Sequence, residues 1–253
     1  MALIWQKTVN GVDYEVRSAG RSRRLYANGV CHTQYHPQHI VSGSVWDMLA
    51  LPVFFHPKNS IKRVLLLGLG GGAVVHMLRH FVAPDEIVVV ERDAIHISVA
   101  RKFFDLNQRN VNICKQDAVA WMESYAGAKF DLIIDDLFSH ADGIPRRAVS
   151  ADRNWANLLA RNLRHDGALV LNFGDRDELK ASVFNRFPPP RTGFVSAFVL
   201  RQRSLDNHIL FCSRQSCQAA TFRKHIRQHR FLAKPFNQKR LNFSVASYAG
   251  GRR

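Results

Sequence analysis

The chain has 253 residues, 46% of them hydrophobic and 22% charged, and carries a net charge of +16. That length and apolar content support one large domain, or a domain with a small partner, and exclude a disordered chain. No apolar run approaches the roughly 18 residues that a membrane-spanning helix requires, and the start at Met1 lacks a basic segment followed by a long apolar stretch. The four cysteines, Cys31, Cys114, Cys212 and Cys217, form no C-x-x-C pair and read as reduced thiols of a cytoplasmic protein with no membrane association.

In chain order, the first 57 residues carry short strand and turn signals. Residues 12–17 alternate apolar and polar, Asn28-Gly29 suits a tight hairpin turn with positive φ, and 45–51 has a helical pattern that stops at Pro52. This stretch, 1–57, is expected to be a small N-terminal β-rich lobe. The pattern then changes. Val64-Leu65-Leu66-Leu67 is short, wholly apolar and followed by glycines, which predicts a buried parallel strand. Helix 73–81, strand 86–91, helix 94–104, strand 111–114, helix 118–125 and strand 130–134 follow, then helix 155–163, strand 167–172 and helix 178–187. Strands and helices alternating at this spacing predict an α/β fold with a Rossmann-like doubly wound sheet over 58–216. Two strand signals, 193–200 and 208–212, have no helix between them and predict an antiparallel hairpin at the sheet edge.

The remainder, 217–253, reads as a basic C-terminal extension that starts with a helix to about Phe231. Between 181 and 253 fourteen Lys or Arg accompany one acid, Asp206, and from Thr221 onward there are nine and no acid. Such a segment suits an anionic partner such as nucleic acid, or forms a solvated basic face.

Gly68-Leu69-Gly70-Gly71-Gly72-Ala73 lies between a predicted strand and a helix, where glycines let the backbone approach a ligand and the helix N-terminus favours an anion. Gly68, Gly70 and Ala73 also satisfy the dinucleotide pattern G-x-G-x-x-A. Acids stand at the carboxyl ends of the next three strands: Glu91, Asp117 and Asp136. Ligands of open α/β sheets bind at those ends. An acid after the second strand can accept two ribose hydroxyls, and one after the third can accept an adenine amine. His32, His36 and His39 cluster without a Cys or carboxylate to complete a zinc site, so no metal is expected. His225 and His229 share a helix face among basic neighbours, which reads as solvated or anion-contacting.

From about Arg24 to Arg214 the sequence resembles the spermidine synthase-like polyamine aminopropyltransferases, which share their core fold with the S-adenosylmethionine-dependent methyltransferases. The resemblance rests on Leu25-Tyr-Ala-Asn-Gly-Val30, Met48-Leu-Ala-Leu-Pro52, His56-Pro57, Arg63-Val-Leu-Leu-Leu-Gly-Leu-Gly-Gly-Gly72, Val89-Val-Glu-Arg-Asp93, Gln116-Asp-Ala118 and Phe130-Asp-Leu-Ile-Ile-Asp-Asp136. It implies a methyltransferase-type sheet with an antiparallel edge strand. It further implies that Glu91 holds a ribose and Asp117 an adenine amine, that Gly68, Gly70, Gly71 and Gly72 hold the methionine-derived part of S-adenosylmethionine, and that Asp136 orients and deprotonates an attacking amine. Three positions depart from the family pattern. Gly71 stands where the family has the aspartate that receives the ammonium of decarboxylated S-adenosylmethionine, Ser139-His140 replace a second aspartate and its proline, and Val45-Trp46 replace a Tyr-Gln pair.

These departures make methyl transfer from intact S-adenosylmethionine to an unknown acceptor the leading expectation. Aminopropyl transfer from the decarboxylated form is the nearest alternative. A nicotinamide-dependent oxidoreductase and a non-catalytic nucleoside-binding module with a nucleic-acid-binding tail are the others. A homodimer is compatible with each.

Overall fold

The computed structural model describes residues 1–139, 145–186, 193–238 and 241–249. Its N-terminal lobe is a four-stranded antiparallel sheet of β1 (Ala2–Val9), β2 (Val12–Ala19), β3 (Ser22–Ala27) and β4 (Val30–Tyr35), paired in that order. Strand β1 carried no sequence signal because it is an edge strand exposed at nearly every position, held by its pairing with β2 rather than by an alternating buried face. The β3–β4 turn falls at Asn28-Gly29 as expected, with φ of 47° and 78°. Val16 and Leu25 pack on Val99 and Phe104, seating the lobe on the second domain.

Helix α1 (Val45–Ala50) and a 3-10 turn over Leu51–Phe55 lead into the Rossmann-like domain. Its elements are β5 (Arg63–Leu67), α2 (Ala73–Phe81), β6 (Glu86–Glu91), α3 (Ala94–Phe103), β7 (Val111–Lys115), α4 (Ala118–Ser124) and β8 (Phe130–Asp135). A two-residue ladder, β9 (Phe138–Ser139) with β10 (Arg146–Arg147), then precedes α5 (Arg153–Asn162), β11 (Leu163–Phe173), α6 (Arg176–Ala181), β12 (Ser196–Arg201) and β13 (His208–Ser213). Helix α6 is shorter than expected: Asp175 caps its start and Ser182 is already extended, after which Val183–Arg186 forms a 3-10 turn. The Pro188–Pro190 stop and His140 lie outside the described residues.

The large sheet runs β14-β12-β13-β11-β8-β5-β6-β7, where β14 (Ser244–Ser247) is an added edge strand. Pairing is parallel from β11 to β7 and antiparallel at β13, β12 and β14. The apolar run of β5 is buried on both faces by the strand's period of two. Val64 and Leu66 join Ile87, Val89, Leu132 and Ile134 in one layer. Leu65 and Leu67 join Val88, Val90, Ile133 and Trp155 in the other. Strand order reverses at β5, between β6 and β8, which places the ligand-binding crevice at their carboxyl ends.

The expected boundary at 216/217 does not mark a break in packing. Helix α7 (Ala219–Gln228) buries Phe222 and Ile226 completely, and Phe55 stacks between Phe211 and Phe222 with centroids 4.5 and 4.3 Å away. After α8 (Ala233–Asn237), Leu241 and Val245 enter the same core. The basic segment is therefore part of the domain rather than an appendage, because its apolar residues recur at helical spacing beneath the charged ones. His225 and His229 correct the sequence reading in the same way. They face inward: His225 Nδ1 lies 2.9 Å from the carbonyl oxygen of Phe54, and the His229 ring packs against Phe54 and Phe81. Among the described residues no helix is long and apolar enough to cross a membrane.

Candidate functional site

A cavity of about 630 Å³ opens at the carboxyl ends of β5, β6, β7 and β8 and is roofed by the N-terminal lobe. Gly68, Gly70, Glu91, Asp117 and Asp136 all line it, as do Tyr14, His32, Trp46, His96, Asn172 and Asn207. The sequence reading thus brings five of its seven site residues to one place.

Gly68 has φ of 89°, and a Cβ there would lie 2.4 Å from the Asp136 carbonyl oxygen. The close passage of the β5–α2 loop over the end of β8 requires glycine. Gly71 and Gly72, expected to bind the cofactor, do not face the cavity. A Cβ on Gly71 would meet Thr33 Cγ2 at 2.8 Å and Phe104 at 3.3 Å, and the Gly71 N–H donates to Thr33 Oγ1 at 2.6 Å. Gly72 N–H donates to the Leu69 carbonyl at 2.9 Å. The Gly71 amide, just ahead of α2, is occupied by a residue of β4 that is invisible to a motif reading.

Glu91 is 8% exposed at the end of β6. Its Oε2 accepts the Leu69 N–H at 2.9 Å and its Oε1 accepts the Asp93 N–H at 2.8 Å. Burial pushes its carboxyl up, yet neighbouring His96 and these two backbone N–H groups outweigh burial and hold it below the usual carboxylate value. Each carboxylate oxygen keeps a lone pair for a further donor, so an ionised Glu91 can accept a vicinal pair of hydroxyls. Asp117 caps α4: its Oδ1 accepts from Val119 and Ala120 N–H at 3.0 and 3.1 Å, leaving Oδ2 for a ligand in the cavity.

The two acids ending β8 diverge. Asp135 is fully buried in the layer beneath the sheet, where its Oδ2 accepts from Arg147 Nη2 at 2.7 Å and Trp155 Nε1 at 2.8 Å. Asp136, one residue on, turns the other way into the cavity, and its Oδ1 accepts from Asn172 Nδ2 at 2.7 Å. Burial lifts the Asp136 carboxyl to about 7. Asn172 opposes the rise, the Asp135 charge adds to it, Arg147 opposes it and Glu91 adds to it. Asn172 Oδ1 in turn accepts from Asn207 Nδ2 at 3.0 Å, which fixes the amide so that its NH₂ faces Asp136.

Sequence reasoning missed Asn172, Asn207, Tyr14 and His96. Asn172 left a signal, a lone polar residue ending the apolar run of 168–171. The others reach the cavity only through tertiary folding. Tyr14 donates to Asp93 Oδ2 at 2.6 Å from β2, and His96 stands over Glu91 with Nδ1 3.8 Å from its Oε2. The three N-terminal histidines separate. His32 faces His96 in this cavity at a ring distance of 5.0 Å, whereas His36 and His39 line a second one. Among the described residues no three His, Cys, Asp or Glu side chains converge as metal ligands.

The two acids with unused lone pairs, at the ends of β6 and β7, fit a nucleoside lying across β5, β6 and β7. Fold and cavity together define the class: a Rossmann-like protein built on the methyltransferase-type sheet. Within that class the chain belongs to the spermine/spermidine synthase domain family, whose model matches residues 45–185. The chain is 29% identical to the polyamine aminopropyltransferase of Lachnospira eligens over 158 residues, covering 56% of this chain and 52% of that protein. It is 27% identical to the spermine synthase of Saccharomyces cerevisiae over 183 residues, covering 65% and 59%. The chain thus spans little more than half the length of these curated relatives. The structure of a probable spermidine synthase from Corynebacterium glutamicum superposes with a TM-score of 0.75 at 18% identity, covering 100% of this chain and 97% of that one.

Proposed function

We propose that the protein transfers an aminopropyl group from decarboxylated S-adenosylmethionine to an amine whose body is apolar. The observation that carries this reading is Asp136, a cavity carboxyl lifted to about 7 and held by Asn172. An amine attacks carbon only as the free base, so a carboxylate poised near neutrality is the group that amine chemistry requires. Family membership and the aminopropyltransferases among the relatives favour aminopropyl over methyl transfer, the reverse of the sequence expectation.

Glu91 would hold the two ribose hydroxyls, Asp117 the adenine amine, and the backbone at Gly68–Gly70 the sulfur side of the nucleoside. A sulfonium nucleoside supplies a carbon made electrophilic by S⁺ and a neutral thioether as leaving group. The protein's own tasks are alignment and proton removal. Asp136 accepts the acceptor's ammonium proton on the oxygen not bonded to Asn172. Val45, Trp46, Leu137 and Phe138 line the cavity with apolar surface. That surface suits a hydrocarbon or aromatic body better than a second ammonium group.

Methyl transfer from intact S-adenosylmethionine is the second reading, favoured by the absence of any carboxylate in the 68–72 loop for a free ammonium. Calorimetry with both donors, followed by mass analysis of products from a panel of mono- and diamines, separates the two. Aminopropylated monoamines are the expected outcome. Methylated products from the intact donor establish the second reading, and absence of binding by either donor overturns both. In the same assay Glu91→Ala is expected to weaken methylthioadenosine binding by about 1–3 kcal/mol, the scale of hydrogen bonds to a charged acceptor. Unchanged affinity would remove Glu91 from the nucleoside site.

A further inference from the structure

From Thr221 onward the chain has nine Lys or Arg and no acid. Some basic side chains have acidic partners, among them Lys62 with Asp85, Arg63 with Glu86, Arg147 with Asp135, Arg164 with Asp131 and Lys180 with Asp177. Among the described residues Arg223, Lys224, Arg227, Arg230 and Lys234, all on α7, α8 or the turn between them, have none. Lys224, Arg227, Arg230 and Lys234 are exposed. Arg227 and Arg230 lie over the rings of Phe236 and Phe231 at 5.4 and 4.5 Å. Phe222 and Ile226, both fully buried, anchor α7 in the core.

Beside this face lies the second cavity, about 420 Å³, between the β4–α1 loop, α2 and the start of α8. Its described lining contains no acid, and it presents flat rings: Tyr35, His36, His39, His76, His80 and Phe231. Tyr35 stacks on His76 at 4.6 Å, and the Phe231 ring meets His80 edge-on at 5.4 Å. Phe231 belongs both to the cavity wall and, through Arg230, to the basic face.

We infer that the α7–α8 face binds single-stranded nucleic acid, with phosphates along Lys224, Arg227, Arg230 and Lys234 and an unstacked base entering the ring-lined cavity beside Phe231. Exposed cations on a segment without an acid match a phosphodiester backbone, and aromatic faces next to them match bases. The flexible backbone of a single strand can deliver a base into a recess, whereas duplex bases are held in their stack. The nucleoside cavity plays no part in this surface, so the inference is independent of the proposed reaction.

The test is fluorescence anisotropy of the full chain with a labelled single-stranded oligonucleotide, titrated with salt from roughly 50 mM upward, with a log–log slope near −0.7 expected per phosphate contact. The triple variant Lys224→Glu, Arg227→Glu, Lys234→Glu should weaken binding about 100-fold or more at low salt with an unchanged thermal midpoint. A charge-matched control, Lys7→Glu, Arg109→Glu, Arg153→Glu, places the same change on other exposed positions and should cost far less. Phe231→Ala should weaken the single strand about tenfold and leave duplex binding unaltered. Equal losses in the two triple variants, affinity for inorganic polyphosphate equal to that for the oligonucleotide, or no salt-sensitive binding at all would each overturn the inference.

Discussion

Asp136→Asn is expected to lower the rate of group transfer by about 10²–10⁴-fold, the usual contribution of a positioned base, while methylthioadenosine binds as before. The substitution keeps the side-chain shape and removes the negative charge together with the capacity to take a proton. In the unmodified protein the rate should fall as pH drops through about 7, where Asp136 becomes protonated, and this limb should vanish in Asp136→Asn. Stability runs in the opposite direction. The folded-state pKa is raised above the ordinary 3.8, so the protonated form is the one the fold favours. The resulting stability is complete below about pH 4 and is lost as pH rises through 7. Asp136→Asn should therefore melt at a temperature equal to or higher than the parent at pH 8. A parallel loss of stability and activity would mean that Asp136 is structural.

For Asp135 the opposite phenotype is expected. Asp135→Ala strands Arg147, whose side chain is 3% exposed, and leaves Trp155 Nε1 without its acceptor. Removing one partner of a buried, hydrogen-bonded pair costs about 3–5 kcal/mol, a large share of the stability of a domain this size. Denaturant unfolding at constant slope is the measurement. Replacing Asp135 and Arg147 together with apolar residues of similar volume should recover most of the loss, since no buried charge then remains unpaired. A single-variant loss below about 1 kcal/mol would show that water reaches Arg147. Two neighbouring carboxylates, one proposed for chemistry and the other expected to hold the fold, are thus separable by experiment.

The sequence by itself determined the order of layers. The apolar run of β5, the alternation of strands and helices after it and the acids at three strand ends follow from local periodicity and turn chemistry, and these survive folding because each is a property of a few adjacent residues. They single out Gly68, Gly70, Glu91, Asp117 and Asp136, all of which line one cavity in the folded chain. Tertiary structure alone decided what those residues meet. Thr33 arrives from β4 to occupy the Gly71 amide, Asn172 and Asn207 arrive from β11 and the β12–β13 turn to set Asp136, and Arg147 with Trp155 removes Asp135 from the site. The basic segment shows the same division. Its charge was legible as composition, but whether its phenylalanines faced water or the sheet depended on Phe54 and Phe55, more than 160 residues earlier in the chain. Contacts of that separation leave no mark on local spacing, because burial is settled only when distant apolar faces find one another in the folded molecule.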